Sequence, residues 1–149
     1  MFTTLLIATD GSELSNKALA AGLDLARLHG ATVTIMTATD PVSTALGAGG
    51  FGAMDAGPIL DQLDAAYAAQ ATQVLSAARD IADKAGIAVQ TIHVPQQRPA
   101  DAIVQTASER GCDTIVMGSH GRRGIQRMLL GSQAAEVLAR ATIPVLIVK

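Results

Sequence analysis

The residues best suited to chemistry lie in the last third of the chain. Gly118-Ser119-His120-Gly121 is followed, after nine residues, by Gly131-Ser132. Before the first glycine runs Thr114-Ile115-Val116-Met117, an apolar stretch that reads as a buried strand. After the last comes Gln133-Ala134-Ala135-Glu136-Val137-Leu138-Ala139, which reads as a helix. Strand, glycine-rich loop and helix in that order aim backbone N–H groups and the positive end of a helix dipole at an anion. Gly118 and Gly121 let a ligand approach the backbone without meeting a Cβ. Gly131 and Ser132 open the helix, Ser132 as its cap and as a hydroxyl donor. The chemistry implied is phosphate binding; the plain alternative is a turn. Two other phosphate motifs do not apply. No Gly-x-x-x-x-Gly-Lys-Ser/Thr loop occurs, and Gly47-Ala48-Gly49-Gly50-Phe51-Gly52 neither follows a strand directly nor leads into a helix, so it reads as a loop.

Asp10 is the second candidate. It ends the first apolar run, Leu5-Leu6-Ile7-Ala8, at the rim where ligands bind in open α/β sheets. There a carboxylate accepts hydrogen bonds from ribose or faces a phosphate-bound metal; the alternative is helix capping within Asp10-Gly11-Ser12. Arg122, Arg123 and Arg127 crowd the glycine-rich loop. Guanidinium groups match phosphates, and they equally suit solvated loop positions or oligomer contacts. His120 either faces the ligand or is a polar turn residue. His29 ends a helix and His93 ends a strand, and neither has a spaced partner for a metal. No Ser-His-Asp or Cys-His set and no Gly-x-Ser-x-Gly elbow can be argued, and no general base stands beside the loop. No residue is therefore assigned a catalytic role.

The elements that position these residues follow from the apolar pattern. A helix is expected over Leu14, Ala18, Ala21, Leu25 and Leu28, stopped by Gly30. Val33 and Ile35 mark a second strand, and residues 39–58 a long mobile loop. Leu60, Leu63, Tyr67, Ala71, Val74, Ala78, Ile81 and Ala85 mark a long helix closed by Gly86. Ile87–Ile92 is a third strand, Pro99 opens a helix ended by Gly111, residues 113–117 are the fourth strand, 132–140 a helix, and Pro144–Val148 the last strand. Apolar strands alternating with helices imply one domain over residues 1–149: a doubly wound, five-stranded parallel sheet with helices on both faces and its ligand site at the strand C-termini.

Composition agrees. A chain of 149 residues suits a single domain. It is 49% hydrophobic with only 2% aromatic residues, so the core must be Ala, Val, Leu and Ile. A net charge of −2 argues against nucleic acid as a bulk electrostatic partner. Cys112 stands alone, which rules out an intramolecular disulfide and marks it as a small core residue. No apolar run reaches membrane-spanning length and no secretory leader is legible, so a cytoplasmic location without membrane attachment is expected.

Together, Ile7-Ala8-Thr9-Asp10-Gly11-Ser12, Val116-Met117-Gly118-Ser119-His120-Gly121, Gly131-Ser132 and Pro144-Val145-Leu146-Ile147-Val148 resemble the universal stress protein family over the whole chain. The pattern Gly-x-x-Gly, nine residues, Gly-Ser/Thr is the mark of that family's ATP-binding members, and its spacing here is complete. The resemblance implies a Rossmann-like fold of the adenine-nucleotide-hydrolase type, with ATP and Mg²⁺ as ligands. Asp10 would contact ribose or the phosphate-bound metal. Ala38 would line the adenine pocket with Ala8 and Thr9 near it. Met117 and Gly118 would flank adenine and ribose, and Gly121, Gly131 and Ser132 would hold the phosphates, with Arg122 and Gln133 beside them. Gln133 departs from the small or apolar residue common in the family. The resemblance further implies a homodimer through the last strand and a nucleotide-gated role in stress resistance; the alternative is the same fold acting through protein partners without nucleotide. An adenylating or hydrolysing enzyme is disfavoured, because Thr9-Asp10-Gly11-Ser12 lacks the Ser-Gly-Gly-x-Asp-Ser loop of the related pyrophosphatases. A phosphorelay receiver is disfavoured because Ile92-His93-Val94-Pro95 offers no acceptor aspartate.

Overall fold

The computed structural model describes residues 2–42, 57–121 and 130–149. Within them the chain forms β1 (Thr4–Ala8), α1 (Glu13–His29), β2 (Thr32–Ala38), α2 (Gly57–Lys84), β3 (Val89–Val94), α3 (Pro99–Glu109), β4 (Thr114–Gly118), α4 (Ser132–Arg140) and β5 (Val145–Val148). Residues 43–56 of the expected long loop, with the Gly47–Gly52 motif, lie outside the described residues.

All strand pairs are parallel, in the order β3-β2-β1-β4-β5. The chain steps outward from β1 to β2 and β3, then crosses back to build β4 and β5 on the other side. The reversal falls between β1 and β4, so their C-terminal ends stand side by side and the loops leaving them diverge. That divergence opens a crevice.

The period-2 alternation of the strands divides the core. Leu5, Ile7, Val33, Ile35 and Val116 meet Ala18, Leu19, Leu23 and Ala26 of α1 and Ala78 and Ala82 of α2 on one face. Leu6, Met36, Ile115 and Met117 meet Ala100, Ile103 and Ala107 of α3 and Ala134 and Val137 of α4 on the other. With few aromatics available, the helices sit close to the sheet on small residues. At Gly22 an added Cβ would stand 2.5 Å from Ile7 Cδ1, so glycine here lets α1 rest directly on β1 and β4. This fixes where the N-terminus of α1, and the Asp10 loop before it, must lie. Gly30 ends α1 at φ 63°, a left-handed cap.

Three expectations shift. The buried stripe of α1 is Ser15, Ala18, Leu19, Gly22, Leu23 and Ala26, rotated from the one read off the leucines, and Leu28 is 79% exposed. Leucine spacing alone overlooked that small residues carry this contact. β3 starts at Val89 rather than Ile87, because Ile87 N–H still donates to Ala82 O across the Gly86 turn while pairing with β2 begins at Val33 and Val89. In α4 the cap position belongs to Gly131 and no side chain caps it; Ser132 is the first helical residue. Cys112 is buried as expected, and burial, with Asp113 adding to it and Arg110 opposing, holds its thiol in the protonated form more firmly than usual.

Candidate functional site

The crevice has a volume of about 580 Å³. Its floor is the C-terminal end of β1. Ser12 caps α1, its Oγ accepting from Ser15 N–H at 3.2 Å, and Asp10 Oδ1 accepts from Ser12 N–H at 3.0 Å. The Asp10 carboxylate faces two ways. One oxygen shapes the loop that caps α1; the other, Oδ2, points at the glycine-rich loop, where a Cβ on Gly121 would come within 2.8 Å. Beneath, the buried hydroxyls of Thr9 and Ser15 are 3.1 Å apart, and Thr9 Oγ1 accepts from Gly11 N–H. These bonds hold the carboxylate on a rigid base.

A second wall is built by β4 and α4. Gly131 N–H donates to Ser119 O at 2.7 Å, drawing the start of α4 back against the end of β4. The approach leaves no room for a side chain: a Cβ on Gly131 would stand 2.9 Å from Ser119 O. Among the described residues α4 then begins with no side-chain cap and no acidic residue in its first turn, so the positive end of its dipole is not offset there. Gln133, the departure from the family pattern, turns its Oε1 to Ala100 N–H at 2.9 Å. It thereby satisfies an amide at the start of α3 and ties α3 to α4. The tie is reinforced outside by Arg98–Glu136 at 2.8 Å and by Arg140 paired to Asp101 of α3, while Arg140 also meets Glu136 of its own helix at 3.0 Å. His120 lines the crevice; its Nδ1 is 3.1 Å from Ser119 Oγ, and its buried Nε2 has no hydrogen-bond partner among the described residues.

Of the residues expected at the site, Ala8, Thr9, Asp10, Ala38, Met117, Gly118, Gly121, Gly131, Ser132 and Gln133 all line this one crevice. Arg122, with Arg123 and Arg127, lies outside the described residues. Sequence reasoning missed two walls. One is the face of α2 that carries Tyr67, Gln70, Ala71 and Val74; the other is Pro99 and Ile103 of α3. Tyr67, Ala71 and Val74 were legible as a helical stripe, but nothing in that spacing says that the middle of a long helix lines the crevice at the strand ends. Thr39 and Asp40, just past β2, also line the crevice. Thr39 Oγ1 is 2.9 Å from His93 Nε2. Burial lowers the pKa of His93, with the charge of Asp64 opposing, so the fold favours its neutral ring. His29 instead stacks at a tilt on Phe2, ring centroids 5.3 Å apart.

Among the described residues no group of three or more His, Cys, Asp or Glu side chains could cage a metal ion. The crevice carries two carboxylates, Asp10 and Asp40. No helix among the described residues is long and apolar enough to cross a membrane.

A parallel sheet in this order, with its crevice where the order reverses, defines a doubly wound α/β protein whose candidate site is the switch-point crevice. The profile of the universal stress protein family matches residues 1–149, and the chain belongs to that family. It is 33% identical over 149 residues to the universal stress protein in the QAH/OAS sulfhydrylase 3′ region of Thermus aquaticus, covering 100% of both chains. It is also 33% identical to YxiE of Bacillus subtilis, again over 100% of each. Among solved structures it resembles MJ0577, with a TM-score of 0.84 and 26% identity over 100% of this chain and 96% of that one. A universal stress protein in complex with cAMP is 31% identical over 99% of this chain and 96% of its own, TM-score 0.68. One from Archaeoglobus fulgidus in complex with dAMP is 25% identical over 99% and 98%, TM-score 0.68.

Proposed function

We propose that the switch-point crevice binds an adenine nucleotide, ATP with Mg²⁺ foremost, and that occupancy gates a regulatory role in stress resistance. One observation carries this reading. The loop with the complete glycine spacing, the uncapped start of α4 and the Asp10 carboxylate meet in a single crevice, whose volume is in the range that holds a nucleotide-sized ligand. Phosphates lie at Gly121, Gly131 and Ser132, at the positive end of α4. Asp10 takes the ribose or an ion held by the phosphates. The base lies toward Ala8, Ala38 and Met117. Relatives solved with cAMP and dAMP support an adenine-bearing ligand.

Calorimetry with ATP, with and without Mg²⁺, tests the reading, beside mass spectrometry of nucleotide retained on native purification. Saturable binding in the micromolar to millimolar range, tighter with Mg²⁺, is expected. No heat with ATP, ADP or AMP up to millimolar concentration overturns it.

We further propose a homodimer through β5. This strand is one edge of the sheet, and Leu146 on it is 39% exposed. Two such edges paired about a two-fold axis would satisfy both hydrogen-bond ladders and cover the apolar side chains.

A further inference from the structure

We propose that Tyr67 is the stacking platform for the nucleobase, an inference that rests on the nucleotide reading above. Tyr67 is the only tyrosine of a chain that has no tryptophan, and its ring lines the crevice. Packing does not explain it. The core is built from Ala, Val, Leu, Ile and Met, whereas Tyr67 is only half-buried and its hydroxyl makes no hydrogen bond among the described residues. A tyrosine serving the core is normally buried with its hydroxyl satisfied.

Its place on α2 gives the ring a direction. Tyr67, Gln70, Ala71 and Val74 lie on one helical face and all line the crevice. Ala71 is 2% exposed, so the helix is seated on the protein at that turn, and Tyr67 stands one turn nearer the N-terminus, at the mouth. α2 packs on β2 and β3, the half of the sheet away from β4 and its glycine-rich loop. The ring therefore stands on the β2 and β3 side of the crevice, across from Gly118, Gly121 and Gly131, and beside Ala71 and Val74 of its own helix, while Met36 and Ala38 of β2 add apolar lining from the other face of the sheet. One end suited to phosphate and another offering an aromatic ring beside apolar side chains match the two ends of a nucleotide.

With one tyrosine in the chain, ring-¹³C tyrosine labelling yields signals from Tyr67 alone. The full chain is titrated with ATP, with AMP and with ribose 5-phosphate, which has no base, while calorimetry measures binding separately. ATP and AMP should move the ring signals upfield, with the calorimetric midpoint, and ribose 5-phosphate should not. Tyr67→Leu, which keeps apolar bulk but no π face, should weaken ATP roughly 5- to 100-fold, while Tyr67→Phe stays within about two-fold of the parent. Both variants should melt with the parent, which separates stacking from folding. If ATP binds the parent by calorimetry yet the ring signals stay put, or if Tyr67→Leu binds as tightly as the parent, the stacking role is wrong and the nucleotide reading stands. Absence of binding by both methods overturns the two together.

Discussion

Gly121 and Gly131 look equivalent as letters but differ in what surrounds them. A Cβ on Gly131 meets the main-chain oxygen of Ser119 at 2.9 Å, an atom already hydrogen-bonded to Gly131 itself. Relief requires backbone movement, so Gly131→Ala should cost about 1–3 kcal/mol and lower the melting temperature as well as ATP affinity. A Cβ on Gly121 meets the end of the Asp10 side chain at 2.8 Å, which can swing aside. Gly121→Ala should therefore melt like the parent yet bind ATP at least several-fold more weakly. Thermal melts beside calorimetry on the two variants check the contrast, and equal melting temperatures would contradict it. Asp113 supports a pH prediction far from the site. Burial pulls its pKa upward, but hydrogen bonds from the Thr3 N–H and hydroxyl and from the Thr114 hydroxyl outweigh that and hold it at about 2, against 3.8 for a free aspartate. The folded state thus favours the carboxylate. Between these values the unfolded chain binds more protons, so this contribution is complete above roughly pH 4 and is lost as pH falls toward 2. Urea midpoints between pH 2.5 and 5 should show a flatter slope for Asp113→Asn than for the parent.

Elements are positioned by the small residues on which they rest. α1 contacts the sheet through Ala18, Leu19, Gly22, Leu23 and Ala26, with Leu19 fully buried, and it leaves Leu28 in solvent. Leu19→Ala should cost about 2–5 kcal/mol, whereas Leu28→Lys should fall within about 0.5 kcal/mol of the parent. Denaturant midpoints measure both, and similar losses would place the helix in the wrong rotation. Because the N-terminus of α1 carries the Asp10 loop, loosening α1 should also weaken the nucleotide binding proposed for the crevice.

For the molecule as a whole, the sheet has two edges, β3 and β5. β5 is four residues of Val, Leu and Ile, with charge only at Lys149 beyond it, so no charged side chain within the strand discourages edge pairing. If two copies pair there, Leu146→Lys should give a monomer or an insoluble chain. Light scattering that reports a monomer for the unmodified protein at micromolar concentration would remove the dimer.

Much of this was legible in the order of residue types. Alternating apolar runs, Gly30 and Gly111 as helix stops and Pro99 as a helix start set the elements in order, because backbone conformation and strand or helix periodicity are local properties. Asp10 and the Gly118–Gly121 stretch marked the crevice for the same reason: each follows a strand end closely, and strand ends in this architecture meet at one rim. Only the tertiary structure decided which helix faces carry the contacts. The leucines of α1 pointed to a stripe that packing rotated onto Ser15 and Gly22, since a helix resting close to a sheet selects small residues over large ones. It also decided that Tyr67 overhangs the crevice, that Gln133 serves the start of α3, and that Gly131 is needed by its own chain at Ser119 O. Each is a contact between segments far apart in sequence, and such contacts depend on where the sheet order reverses rather than on any local pattern.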